Sequence, residues 1–215
     1  MKLACCSAYV LLTLACARTP LPCAGAGTCP SGQECLASRC VLEGGAPVES
    51  ATQRMLLWPK AIAIASSAED PHGLAPSVTL GQSPSAPTAL YVRFEPSYRT
   101  PRKVHAAFLL LDPHAGAPGA DEITLEVWRA RRDVTREHVS WSQQPGFAPP
   151  FARGLSRFAP ATPLRVDVTE LLRFFTEHPA LDHGFVVRAA EGQGSLTLAT
   201  GVDGGLPPRL DVYLE

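Results

Sequence analysis

The chain has 215 residues, with 19 lysines and arginines against 20 aspartates and glutamates, and its formal net charge of −1 offers no basic surface for a nucleic-acid partner. Hydrophobic residues make up 46%, enough for one to two packed domains, while 21 prolines and 17 glycines punctuate the chain too often for a helical bundle. This composition favours a many-stranded β fold.

Met1-Lys2 followed by the apolar run from Leu3 to Ala15 reads as a signal segment, too short to span a bilayer as a helix. Two cleavage readings compete. Leu12-Thr13-Leu14-Ala15-Cys16 is similar to a bacterial lipobox, with Cys16 acylated as the new N-terminus, although Thr13 stands where that motif carries an aliphatic residue. Alternatively, Ala15-Cys16-Ala17 is a small-x-small site, and cleavage after Ala17 yields a soluble secreted product. Both readings place the protein outside the cytoplasm, at the outer membrane or cell surface or free in the medium. The only membrane contact expected is an N-terminal lipid.

Cys5 and Cys6 leave with a residue 1–16 signal, so Cys23, Cys29, Cys35 and Cys40 remain as an even set in an oxidising compartment. Residues 17–42 carry turn residues (Pro30, Ser31, Gly32) and few apolar ones, so disulfides must hold this segment. Four cysteines allow three pairings, which the sequence leaves open. A zinc site is disfavoured because no close Cys-x2-Cys pair is present. Residues 43–54, with Gly44-Gly45 and Pro47, read as a linker.

From residue 55 to 215 short apolar runs alternate with turns. Strands are expected at 61–65, 77–81, 89–94, 104–112, 123–128, 139–141, 164–166, 184–188, 195–199 and 209–214. In the third, Leu90, Val92 and Phe94 share one side, and Tyr91 and Arg93 share the other. The run Phe108-Leu109-Leu110-Leu111 is apolar on both faces, as a central strand requires. A single helix follows Val166, with Val168, Leu171, Leu172 and Phe175 on one face. Asp167 is its expected N-cap, Glu170 completes a capping box, and Pro179 ends it. The expected fold is all-β: a jelly-roll-like sandwich of about ten strands with one short α-helix, plus the small disulfide-rich N-terminal segment.

Candidate chemistry is sparse. The six histidines form no close pair of metal-ligand spacing, no serine sits in a Gly-x-Ser-x-Gly elbow, and no phosphate-cradling glycine loop is present. No cofactor and no catalytic residue is assigned. Asp167 has a structural explanation as a helix cap. Trp128 is different: if Ile123, Leu125 and Val127 face the core, it projects from the opposite face beside Thr124 and Glu126. Tyr91 and Arg93 likewise face away from Leu90, Val92 and Phe94, and Arg129 and Arg131 lie near the strand's end. On one shared sheet, which the sequence leaves open, these residues would supply an apolar plane for a sugar ring and guanidinium forks for carboxylates. The same residues can instead cover a solvated sheet face.

Six segments in order resemble the DNRLRE domains, β-sandwich modules of secreted and surface proteins. They are Ala89-Leu-Tyr-Val-Arg-Phe94, Ala106-Ala-Phe-Leu-Leu-Leu111, Val127-Trp-Arg129 with Val139-Ser-Trp141 and Gln144-Pro145, Val166-Asp-Val-Thr169 with Leu171-Leu172, Gly184-Phe-Val-Val-Arg188, and Pro208-Arg-Leu-Asp-Val-Tyr213. The chain departs from that pattern at Val134, where the family often has Trp, and at Arg136, where it has an acid. The cysteine segment resembles short modules that follow lipoprotein signals in myxobacterial surface proteins. The resemblance implies a non-catalytic domain, carbohydrate-binding in some relatives and a structural stalk in others. The expected function is therefore polysaccharide binding by an exported surface protein. The alternative is a structural or protein-binding envelope module that engages another surface protein. A polysaccharide hydrolase or lyase is the least supported reading, because no nucleophile or acid–base pair can be named.

Overall fold

The computed structural model of the chain describes residues 29–36, 39–42, 53–67, 74–81, 87–115, 123–135, 139–140, 142–156, 163–190, 194–202 and 204–215. Cys16, Cys23 and Trp141 lie outside the described residues, as does the side chain of Cys35. At the N-terminal side, β1 (Gln33–Leu36) and β2 (Arg39–Leu42) form an antiparallel hairpin, and a Cys29–Cys40 disulfide ties it with a Cα–Cα distance of 5.5 Å. A two-stranded ladder this short is marginal on its own, and the covalent tie adds to it.

Beyond it the fold is all-β with antiparallel ladders. The strands are β3 (Gln53–Leu57), β4 (Pro59–Ser66), β5 (Ser77–Leu80), β6 (Thr88–Phe94), β7 (Val104–Leu111), β8 (Ile123–Ala130), β9 (Phe147–Ser156) and β10 (Leu164–Asp167). The helix α1 (Thr169–Glu177) follows, then β11 (Phe185–Ala189), β12 (Leu196–Ala199) and β13 (Arg209–Leu214). One sheet has the order β10-β7-β13-β3 and the other β4-β6-β11-β8-β9. A third ladder, β12-β5, extends the layer of the first through a Pro113–Leu198 bridge and an Ala199 N–H bond to the Asp112 carbonyl (2.8 Å).

Period-two alternation sends one side of each strand between the sheets. Leu90, Val92, Phe94, Leu125, Val127, Phe185 and Val187 from the five-stranded sheet meet Leu109, Leu111, Val166, Leu210 and Val212 from the four-stranded one. Full burial of each such side chain is worth about 1.5–3 kcal/mol gross, so this inter-sheet core dominates the favourable side of folding. One side of the sandwich is nearly shut. A Cβ at Gly154 of β9 would sit 2.6 Å from a Val166 methyl of β10, so only glycine permits that approach. Helix α1 adds Leu171, Leu172 and Phe175 to the same core. Phe175 meets Phe185 edge-on at 5.4 Å.

Several sequence expectations need correction. Strand β3 was not anticipated, because Gln53 and Arg54 mask the apolar positions Met55 and Leu57, which pack on the core. Strand β9 was hidden by Pro149-Pro150. It is the edge of its sheet, and the prolines fall at a register shift between Trp128 and Arg129, where no ladder N–H is needed. No strand forms at Val139-Ser140. The capping box is also absent. The Val168 N–H remains bonded to the Ala107 carbonyl (2.9 Å), so the helix starts one residue later, with Val168 at the N-cap and its carbonyl accepting from Leu172 N–H (2.9 Å). Asp167 caps from the preceding position, its Oδ1 accepting from the Thr169 N–H (2.9 Å) and hydroxyl (2.6 Å). Glu170 does not reach back and instead pairs with Arg173 at 2.7 Å.

Candidate functional site

The outward side of the five-stranded sheet carries the residues that the sequence singled out. Register places Ala63, Tyr91, Val186, Trp128 and Phe151 opposite one another on β4, β6, β11, β8 and β9, a single row crossing all five strands. One step along the strands, Arg188 pairs with Glu126 and Glu126 with Arg153. Tyr91 and Trp128 therefore share a sheet, a face and a row, separated by one strand. Arg93 lies on the same side of β6.

Shared placement does not make them one open platform. Tyr91 is fully buried, packed in a second cluster with Ala63, Ala65, Ala89, Ala130, Val134 and Val186. Its hydroxyl donates to Gln144 Oε1 at 3.0 Å. Burial pushes its ionisation up to about 12, against a smaller lowering by Arg188. The segment after β8 creates this cover: the Arg131 N–H bonds the Gly146 carbonyl and the Val134 N–H bonds the His183 carbonyl. Asp133 joins His183 Nδ1 (2.7 Å) and Arg93 (3.4 Å), and these partners, His183 foremost, hold its carboxyl below the usual range. Arg93 is thus engaged in fastening the cover.

Arg129 is on the opposite side from Trp128. It shares the inward row with Val92 and Phe185, lies over the Phe174 ring of α1 at 5.3 Å, and donates Nε to the Pro149 carbonyl (2.5 Å). The run Arg129-Ala130-Arg131-Arg132 is consequently not one charged patch. Arg131 is exposed at the rim, and Arg132 donates to the Gln144 carbonyl at 3.0 Å.

What remains accessible is the β8–β9 half of the face. Trp128, half-buried, stacks on Phe151 with centroids 4.0 Å apart and planes 16° from parallel, and it also touches Phe147 at 5.2 Å. Phe151 is 40% exposed. Arg153 lies over the Phe151 ring at 5.2 Å and Arg188 over the Phe147 ring at 4.8 Å. Glu126 accepts from Trp128 Nε1 (3.1 Å) through one oxygen and from Arg153 Nε and Nη2 (3.2 and 3.0 Å) through the other. Phe147, Phe151 and Arg153 escaped the sequence reading because β9 itself did. The signal available was the spacing Phe147, Phe151, Arg153 around a Pro-Pro pair, interpretable only once the bulge is known. The arrangement is two rings stacked face to face with Arg153 over Phe151, leaving part of the Phe151 ring exposed beside a polar rim.

Among the described residues no group of three His, Cys, Asp or Glu side chains could hold a metal ion, and no helix is long and apolar enough to cross a membrane. No protein-family model matches the chain, and no curated protein matches it significantly.

Proposed function

We propose that this chain is an exported, lipid-anchored surface protein whose sandwich is a non-catalytic DNRLRE-type module that binds polysaccharide. The observation that carries the reading is the near-parallel Trp128–Phe151 pair, with Phe151 open on the sheet face and Glu126 and Arg153 at its rim. The exposed part of the Phe151 ring, held rigid by its stack on Trp128, offers apolar surface to a pyranose, and charged neighbours supply donors and acceptors for hydroxyls. The lipobox-like segment ending at Cys16 supports anchoring. Affinity electrophoresis of the full chain against soluble polysaccharides tests the reading. Retardation should be lost in Phe151→Ala while the protein keeps a single cooperative thermal unfolding transition. A Phe151→Ala protein that is still retarded as strongly as wild type would remove this face from the proposal.

A second reading has its own observation. Trp58 is 52% exposed, and Leu206 and Val202 are also exposed. Trp58 follows Leu57, which pairs with Leu210, so it lies at the sheet end where the 200–208 connection enters β13. An apolar rim there fits a protein partner, and the protein would then be an envelope or appendage module. Trp58→Ser with unchanged glycan binding but lost association with envelope material would favour it.

A further inference from the structure

We infer that the Trp128–Phe151 platform selects an uncharged polysaccharide and that Glu126 is the group that discriminates against acidic ones; this rests on the polysaccharide-binding reading above. An acidic chain presents carboxylates or sulfates every residue or two, and binding it needs guanidinium forks with free donors. The fork nearest the stack, 62% exposed, already turns one edge to a carboxylate. Arg153 directs both Nε and Nη2 at Glu126 Oε1, so the sheet supplies its own carboxylate where a ligand carboxylate would dock. Trp128 Nε1 locks the other Glu126 oxygen in place.

The other arginines do not replace it. Arg188 lies over Phe147 at 4.8 Å, Arg93 is joined to Asp133, and Arg129 points to the helix side of the sheet. Arg131 stands at the rim past the end of β8. Glu126 and Trp128 are two residues apart on one face, and the carboxylate reaches the edge of the stack, accepting from Trp128 Nε1 at 3.1 Å. Its charge cancels that of Arg153, whose exposed guanidinium lies over Phe151 at 5.2 Å, so an anionic sugar packed against Phe151 gains no net attraction there. A neutral sugar needs no such attraction, and its hydroxyls find the outer edges of Glu126 and Arg153.

The test uses the full chain, with a soluble β-glucan and a galactomannan as neutral probes and alginate and polygalacturonate as acidic ones. Binding is measured by calorimetry at about 50 and about 500 mM salt, where screening separates the two modes. The expected result is binding of a neutral probe that changes less than about twofold between those salts and weakens at least about tenfold in Phe151→Ala. Glu126→Gln keeps an acceptor for Trp128 and releases Arg153, so it should gain affinity for an acidic probe. Wild-type binding of an acidic probe that collapses with salt and is lost in Arg153→Ala overturns the inference and leaves the polysaccharide reading standing. Glu126→Gln that gains no acidic binding removes Glu126 as the discriminating group. A folded protein that binds no probe overturns both.

Discussion

The two outward sheet faces use the same residue types to opposite ends. On the four-stranded sheet, Asp167, Phe108, Asp211 and Leu56 form a row across β10, β7, β13 and β3. Asp211 is 1% exposed and accepts from Arg54 Nε (2.8 Å) and Nη2 (3.0 Å) and from the Tyr213 hydroxyl (3.0 Å). Phe108 is fully buried beneath the Arg165 guanidinium at 4.6 Å, which compensates in part for Arg165 Nε and Nη2, buried without a hydrogen-bond partner among the described residues. On the five-stranded sheet, Glu126 holds Arg153 in a similar way, yet the adjoining aromatic pair stays accessible. Arg54 and Arg153 are equally exposed, at 61% and 62%, so the difference is in what the carboxylate sits beside: Asp211 adjoins the fully buried Phe108, whereas Glu126 adjoins a stack whose Phe151 is 40% exposed.

The largest expected effect is on the closed face. Asp211→Ala strands the Tyr213 hydroxyl and the Arg54 fork together and should cost about 2 kcal/mol in urea unfolding. A loss below about 0.5 kcal/mol would show that the network is not closed. Tyr91→Phe, under the cover of the other face, should cost about 1 kcal/mol by removing the bond to Gln144. It should also reshape the alkaline limb. An unfolded tyrosine ionises near pH 10, whereas Tyr91 holds its proton to about 12, so its stabilising contribution is complete below pH 10 and lost as pH rises towards 12. Tyr91→Phe should flatten that part of the stability profile. Tyr98 and Tyr213, raised mainly by burial, will leave a residual slope.

Smaller effects follow. Asp167→Ala should cost about 1 kcal/mol for the lost cap on Thr169. Glu170→Ala should change stability by less than about 0.5 kcal/mol, since its one ion pair is exposed. Equal losses in the two would restore the capping box. Asp133→Asn should cost less than about 0.5 kcal/mol at neutral pH, because Asp133 is more than half exposed. Its depressed carboxyl contributes stability that is present above the ordinary aspartate range near pH 4 and lost as pH falls through the folded value, so the variant should be less sensitive to acid than wild type. Phe151→Ala should cost about 1 kcal/mol by removing the stack on Trp128, leaving the protein folded while abolishing binding.

Much of the architecture was legible in the chain itself. Alternation in Leu90-Tyr91-Val92-Arg93-Phe94 and Ile123 to Val127 assigned inner and outer faces correctly, because side chains in a strand must alternate whatever the strand pairs with. The apolar face of α1 was equally plain, since Val168, Leu171, Leu172 and Phe175 recur at helical spacing. Local pattern could not reveal β9, whose prolines are tolerated only because it became an edge with a bulge. Nor could it reveal that Tyr91 would be roofed by Val134 and Gln144, some 40 to 50 residues away in sequence. The inward direction of Arg129 follows from alternation with Trp128, whereas the partner of Glu126 was decided by pairing. Periodicity is a property of the local backbone, so sequence alone determines which residues share a face. Which faces are then closed, and which side chains remain open to a ligand, depends on distant segments arriving at the same place, and only the tertiary structure decides that.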